Sequence, residues 1–77
     1  MTDADEVRRV VAATLNLPIE RIAADASAET VPEWDSVNHV SLLMAIEEEF
    51  GVQLEVEDFA TLVSVPAIVA HLAARRG

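Results

Sequence analysis

Trp34-Asp35-Ser36-Val37-Asn38-His39-Val40-Ser41-Leu42-Leu43-Met44-Ala45-Ile46-Glu47-Glu48-Glu49-Phe50-Gly51 is the stretch that decides the fold. Asp35 is a good helix N-cap, which puts Ser36 at or beside the first helical position. Neither Pro nor Gly interrupts Val37 to Phe50, and Gly51 stands where a left-handed terminating residue belongs. Val52 is placed for the apolar contact that accompanies such a stop. The pattern predicts a helix of about four turns with Ser36 at its electropositive end. Leu42, Leu43, Ile46 and Phe50, headed by His39, share one face at helical spacing and are expected to be core, with Phe50 at its centre. Val37, Val40 and Met44 share another face, with Ser41, Glu47 and Glu48 around them. That stripe is either a docking surface for a partner, with Met as an adaptable contact, or packing for the preceding loop.

Upstream, Asp3 and Glu6 form a capping-box pattern. Val7, Val10, Val11 and Thr14, with Leu15 beside them, predict a first helix of about three turns that ends before Pro18. Acids at Asp3, Asp5 and Glu6 suit its first turn. Residues 16–35 form a long connection, with Ile19 to Ala23 a single turn and Leu17, Ile19, Ile22 and Val31 tucked onto the core. Trp34 is read as a packing anchor or as a wall of a cofactor channel. Downstream, Glu57, Asp58, Phe59 and Ala60 predict a brief third helix, with Phe59 and Leu62 inward. Ser64 caps a fourth helix with Pro66 in its first turn, and Val65, Ile68, Val69 and Leu72 form the buried stripe. Arg75 and Arg76 end it at the favourable pole of the dipole, and His71, off the stripe, is expected in solvent. The expected architecture is all-α: a small four-helix bundle of three longer helices and one short third helix, in a single domain over residues 1–77.

Composition narrows the function. Hydrophobic residues make up 52% of the 77, with little aromatic content, so the core must be Val, Leu, Ile and Ala. The absence of Cys excludes disulfides and thiolate-bound metal. No stretch reads as a membrane span or signal peptide, so a cytoplasmic monomer is expected. The net charge of −9 disfavours nucleic acid and anionic membranes as partners. Eight of the fourteen acids lie between Glu33 and Asp58, a span without Lys or Arg. This is either a solvated face or a steering surface for basic partners.

Ser36 itself has two readings. Exposed N–H groups and the dipole at a helix N-terminus favour phosphate, so a hydroxyl there can carry a phosphodiester; helix rules alone also allow a plain capping role. A hydrolase built from Asp35, Ser36 and His39 fails on geometry. All three sit on one helix start, and the strand-turn-helix nucleophile elbow is missing. The acids lack the spacing of a calcium loop, and there is no P-loop or dinucleotide fingerprint.

Asp35-Ser36-Val37, joined at this distance to Leu42-Leu43-Met44-Ala45-Ile46-Glu47-Glu48-Glu49-Phe50-Gly51, resembles the acyl carrier protein family over most of the chain. In that family an Asp-Ser-Leu motif opens the second helix and its Ser carries 4′-phosphopantetheine. The resemblance implies a four-helix carrier with the attachment at Ser36. It also implies no catalysis of its own, and recognition through Asp35, Val37, Val40, Met44, Glu47 and Glu48. The implied partners are a phosphopantetheinyl transferase and acyl-loading and acyl-transfer enzymes with basic docking surfaces. The motif's Leu is Val37 here, and two positions often acidic in fatty-acid carriers are Asn38 and Ser41. With Trp34 and the Asn38-His39 pair, these departures point to a polyketide or other specialised pathway; a fatty-acid carrier is the alternative. An acidic helical interaction module without cofactor is the reading from another class.

Overall fold

The computed structural model describes residues 4–76, apart from the side chains of Arg75 and Arg76. The expected cap at Asp3 and the roles of the two terminal arginines lie outside the described residues. Four helices follow in order: α1 (Ala4–Leu15), α2 (Ser36–Phe50), α3 (Asp58–Thr61) and α4 (Val65–Arg76), with a single 3₁₀ turn at Ile19–Arg21 in the α1–α2 connection. This is the small all-α bundle that the periodicity implied. No helix among the described residues is long and apolar enough to cross a membrane.

Helix α2 is the axis. Leu42, Leu43 and Ile46 are wholly buried. Val7 and Val11 from α1 and Val65 and Ile68 from α4 are equally inaccessible, with Leu72 beside them. Each such aliphatic side chain contributes about 1.5–3 kcal/mol on burial. Both ends of α2 follow the rules read from the sequence. The Asp35 carboxylate accepts the Asn38 N–H at 2.9 Å. Gly51 adopts φ 63°, and the N–H groups of Gly51 and Val52 both reach the Glu47 carbonyl. Helix α1 stops earlier than Pro18 requires. Asn16 takes the left-handed conformation at φ 58°, and the Leu17 N–H returns to the Ala12 carbonyl at 2.9 Å. Asn is the residue other than Gly best suited to that position.

The long connection is ordered by the core and by polar ties. Ile22, Ala26, Val31 and Trp34 are buried, and Leu17 and Ile19 pack against them. The Arg8 guanidinium donates to the carbonyls of Ile22 and Ile19, and its other end pairs with Asp5 at 3.0 Å. The Ala28 N–H donates to the Val63 carbonyl and the Val65 N–H to the Ala26 carbonyl. These bonds stitch the connection to the start of α4, where the Ser64 hydroxyl accepts the Ala67 N–H at 3.1 Å.

Three expectations change. Phe50 is half-buried at the edge of the core, lining a surface cavity with Glu6, Arg9, Val10 and Glu49. The last turn of α2 faces the beginning of α1, where polar residues leave it open to water on one side. Glu47 is no free surface acid, since its carboxylate accepts the Leu54 N–H at 2.8 Å and fixes the α2–α3 connector. His71 is largely enclosed, with Nε2 lying 3.7 Å from the Asp58 carboxylate. The short α3 packs against α2, and its Asp58 faces His71 of α4.

Since Ile46 is enclosed and Phe50 is not, Ile46→Ala is expected to cost about 2–5 kcal/mol and Phe50→Ala clearly less. Urea denaturation of the two variants checks this; the reverse order would place the core centre at the Gly51 end of α2.

Candidate functional site at the start of helix α2

The start of α2 is held by two side chains, Asp35 and Asn38. Asp35 is extended, at φ −96° and ψ −176°, and its side chain turns back onto the first helical turn. Asn38 answers in the other direction, its side-chain amide donating to the Glu33 carbonyl at 2.9 Å. Asn38 thus donates twice, with its backbone N–H to Asp35 and with its side-chain amide to Glu33, and this fixes the approach of the chain to the helix. A carboxylate at position 38 could not make that donation. Just upstream, Arg21 pairs with Glu33 at 3.2 Å.

Ser36, held between these groups, is exposed, and its hydroxyl makes no hydrogen bond to the described residues. It stands at the positive pole of a 15-residue helix. Beside it lies a mainly apolar surface cavity of about 310 Å³, lined by Ala28, Trp34, Asp35, Ser36, His39 and Val63. Trp34 is 2% exposed, so its ring packs in the core while one edge closes this cavity. The reading of Trp34 as a packing anchor thus holds, and the ring also lines this cavity.

The wall of the cavity contains a polar relay that the sequence did not announce. The Trp34 indole Nε1–H donates to His39 Nδ1 at 3.0 Å, and His39 Nε2 lies 2.7 Å from the Phe59 carbonyl. Indole can only donate and a carbonyl can only accept, so His39 is the neutral tautomer with its proton on Nε2. Its ring also meets Phe59 edge-on, at 87° and 6.3 Å between centroids. With both nitrogens engaged, His39 cannot serve as a general base toward Ser36. The relay joins residues 34, 39 and 59 across two connections, so no local spacing signals it.

The second face of α2 is open. Val37, Val40 and Met44 are 76, 46 and 59% exposed, so Val40 and Met44 do not pack the loop. Met44 borders a further surface cavity of about 360 Å³ with Glu47, Glu48, Val52 and Gln53. Glu48 is exposed there. The α2–α3 connector adds Val56, 85% exposed, which was not singled out from the sequence because a lone Val in a connector has no periodic partner. No group of three or more His, Cys, Asp or Glu among the described residues is placed to hold a metal ion.

Residues 5–72 match the family model described as "Phosphopantetheine attachment site". Acyl carrier protein 3 of Ralstonia nicotianae is 32% identical, over 95% of this chain and 84% of its own length. The acyl carrier protein of Streptomyces coelicolor is 36% identical, over 90% of this chain and 76% of its own. That of Thermosynechococcus vestitus is 34% identical, over 84% and 80%.

Removing the cap isolates its contribution. Asp35→Ala is expected to lower stability by about 1 kcal/mol, and the first-turn amides of α2 should exchange faster with solvent while the core near Ile46 stays protected. Hydrogen exchange read by NMR checks this.

Proposed function

The chain belongs to the phosphopantetheine attachment site family, as the acyl carrier proteins do, and we propose that Ser36 is the residue that carries its 4′-phosphopantetheine. The observation that carries the reading is a solvent-facing hydroxyl at the positive end of α2, free of hydrogen bonds to the described residues. A phosphodiester fits there: the dipole favours its charge, and neither Trp34 nor His39 must move to admit it. When bound, the group supplies a thiol that holds an acyl chain as a thioester on a flexible arm.

The protein's own residues bind and orient. Asp35 and Asn38 hold the first turn of α2 rigid, so Ser36 is presented in one geometry. His39 is committed to Trp34 and Phe59, so the base that removes the Ser36 proton during modification belongs to the transferase. Val37, Val40 and Met44 offer apolar surface for docking, and Glu48 beside them offers charge to basic partners. Glu47 serves mainly through its bond to Leu54, so the charged handle is narrower than the run of three acids suggests. Once docked, the tether makes each acyl transfer local, at high effective concentration.

The pathway we infer is a polyketide or other specialised one. Asn38 supports this, because its amide is used by the fold at a position often acidic in fatty-acid carriers, and Ser41 leaves the next such position neutral. A partner reading this helix meets apolar side chains and a sparse set of acids.

Incubation with coenzyme A and a phosphopantetheinyl transferase should raise the intact mass by one phosphopantetheine. Ser36→Ala should abolish the gain without loss of helicity. A gain that survives the substitution moves the site elsewhere, and no gain in the parent favours the interaction-module reading.

Binding kinetics with the same transferase separate the two handles. Glu48→Lys should slow association, more so at low salt. Met44→Ala should speed dissociation with little salt dependence. Parent rates in both variants would mean this face is not the docking surface.

A further inference from the structure

Val63 lies in the short connector between α3 and α4 and is 38% exposed. It is not on the open face of α2. It lines the cavity beside Ser36, across from Ala28 and the edge of Trp34. Hydrogen bonds fix these walls. The Ala28 N–H donates to the Val63 carbonyl at 2.9 Å, and the Val65 N–H donates to the Ala26 carbonyl at 2.8 Å. Ser27 and Ser64 pair between them as an isolated antiparallel bridge. Trp34 is held by its indole bond to His39. The cavity is therefore formed before any ligand arrives, as small-molecule sites usually are.

Its side chains select what can enter. The Trp34 N–H is spent on His39 and the His39 N–H on the Phe59 carbonyl. Ala28 and Val63 bring only alkyl groups. Asp35 can only accept, and its carboxylate is turned onto the Asn38 N–H. A carbonyl or amide entering this space would leave water without gaining a donor from these side chains, which is costly. An alkyl group would gain from leaving water and from contact with several walls.

An arm attached at Ser36 begins at the rim of this cavity, because Ser36 is itself one of the lining residues. The arm of 4′-phosphopantetheine is not uniform along its length. The second carbon from the phosphate carries two methyl groups. A hydroxyl and two amides follow, and the thiol comes last. The branched alkyl segment is thus the part nearest the attachment point, and the groups that need hydrogen-bond partners lie beyond it.

With Ser36 read as the attachment residue, on which this rests, we propose that the cavity formed by Ala28, Trp34, His39 and Val63 seats the dimethyl segment at the root of the arm. The other apolar neighbour of Ser36 is Val37, which is 76% exposed. A methyl group lying on it would meet one side chain, whereas the cavity surrounds a methyl group with several. Seating the root there leaves Val37, Val40 and Met44 clear for a docking partner, so arm and partner do not compete for one surface. The amides and the thioester end stay in water, and the acyl cargo is not sheltered in this cavity.

Isotope-labelled protein loaded from unlabelled coenzyme A by a phosphopantetheinyl transferase tests this. Intact mass, with Ser36→Ala as control, reads the attachment, and NMR of the loaded protein reads the seat. The single tryptophan makes indole contacts unambiguous. The two methyl signals of the arm should be displaced from their positions in free coenzyme A and should show nuclear Overhauser contacts to the Trp34 ring and the Val63 methyls. In Val63→Asp those contacts should be lost and the signals should return to their free positions; the parent spectrum decides alone if that variant does not fold. After loading from butyryl-coenzyme A the methyl contacts should persist, and the butyryl signals should show none to Trp34. Full mass gain with methyl signals at their free positions, with contacts to Val37 or Val40 instead, or with butyryl contacts to Trp34 in place of the arm's methyls, overturns the seat and leaves the attachment at Ser36 standing. A mass gain that is absent, or that survives Ser36→Ala, overturns both.

Discussion

Everything in this protein depends on the burial of one face of α2. Leu42, Leu43 and Ile46 have no exposed surface, and α1 and α4 are placed by the need to cover them. A chain of 77 residues without cysteine has no other staple, since so small a domain buries a modest share of its surface. The aliphatic core meets that need with β-branched and leucine side chains and hardly any aromatic bulk. Trp34 is the exception, and it sits at the point where the core reaches the Ser36 end of α2.

Rigidity at that end comes from a different kind of interaction. Asp35, Asn38 and His39 each make a defined hydrogen bond, and together they bind the loop before α2 and the helix after it to one turn of backbone. None of these side chains leaves a polar group stranded in the core, which would cost more than the bond returns. Ser36 stands among them with its hydroxyl unused. The residue proposed to carry the modification is thus held by its neighbours rather than by its own contacts. The arrangement resembles a presented loop, yet it is built on the first turn of a helix and inherits that helix's dipole.

The two faces of α2 divide labour cleanly. The buried face fixes the fold, and the face bearing Val37, Val40 and Met44 stays open. Its neighbouring acids are not equivalent. Glu48 is exposed to solvent, whereas Glu47 closes the backbone of the following connector. Counting acids along a helix therefore overstates how many carboxylates are free to pair directly with a partner, because some are held in place by hydrogen bonds to the fold.

Much of this was legible in the sequence. The N-cap at Asp35, the stop at Gly51, the cap at Ser64 and the aliphatic stripes of α1, α2 and α4 are local signals, set by residues within one or two turns, so periodicity and capping chemistry suffice to read them. The exposed Ser36 at a helix start follows from the same rules. Phe50, Glu47 and His71 could not be placed that way. What surrounds each is decided by a segment outside its own helix: the start of α1 for Phe50, the connector for Glu47, α3 for His71. The same holds for Arg8, whose guanidinium reaches carbonyls 11 and 14 residues away, and for the Trp34–His39–Phe59 relay. The sequence by itself determined the helices, their caps and the chemistry offered at Ser36, because those depend on backbone geometry and nearest neighbours. Only the tertiary structure decided which polar side chains are spent on the fold and which remain free, because that depends on which backbone groups the packing leaves without a partner.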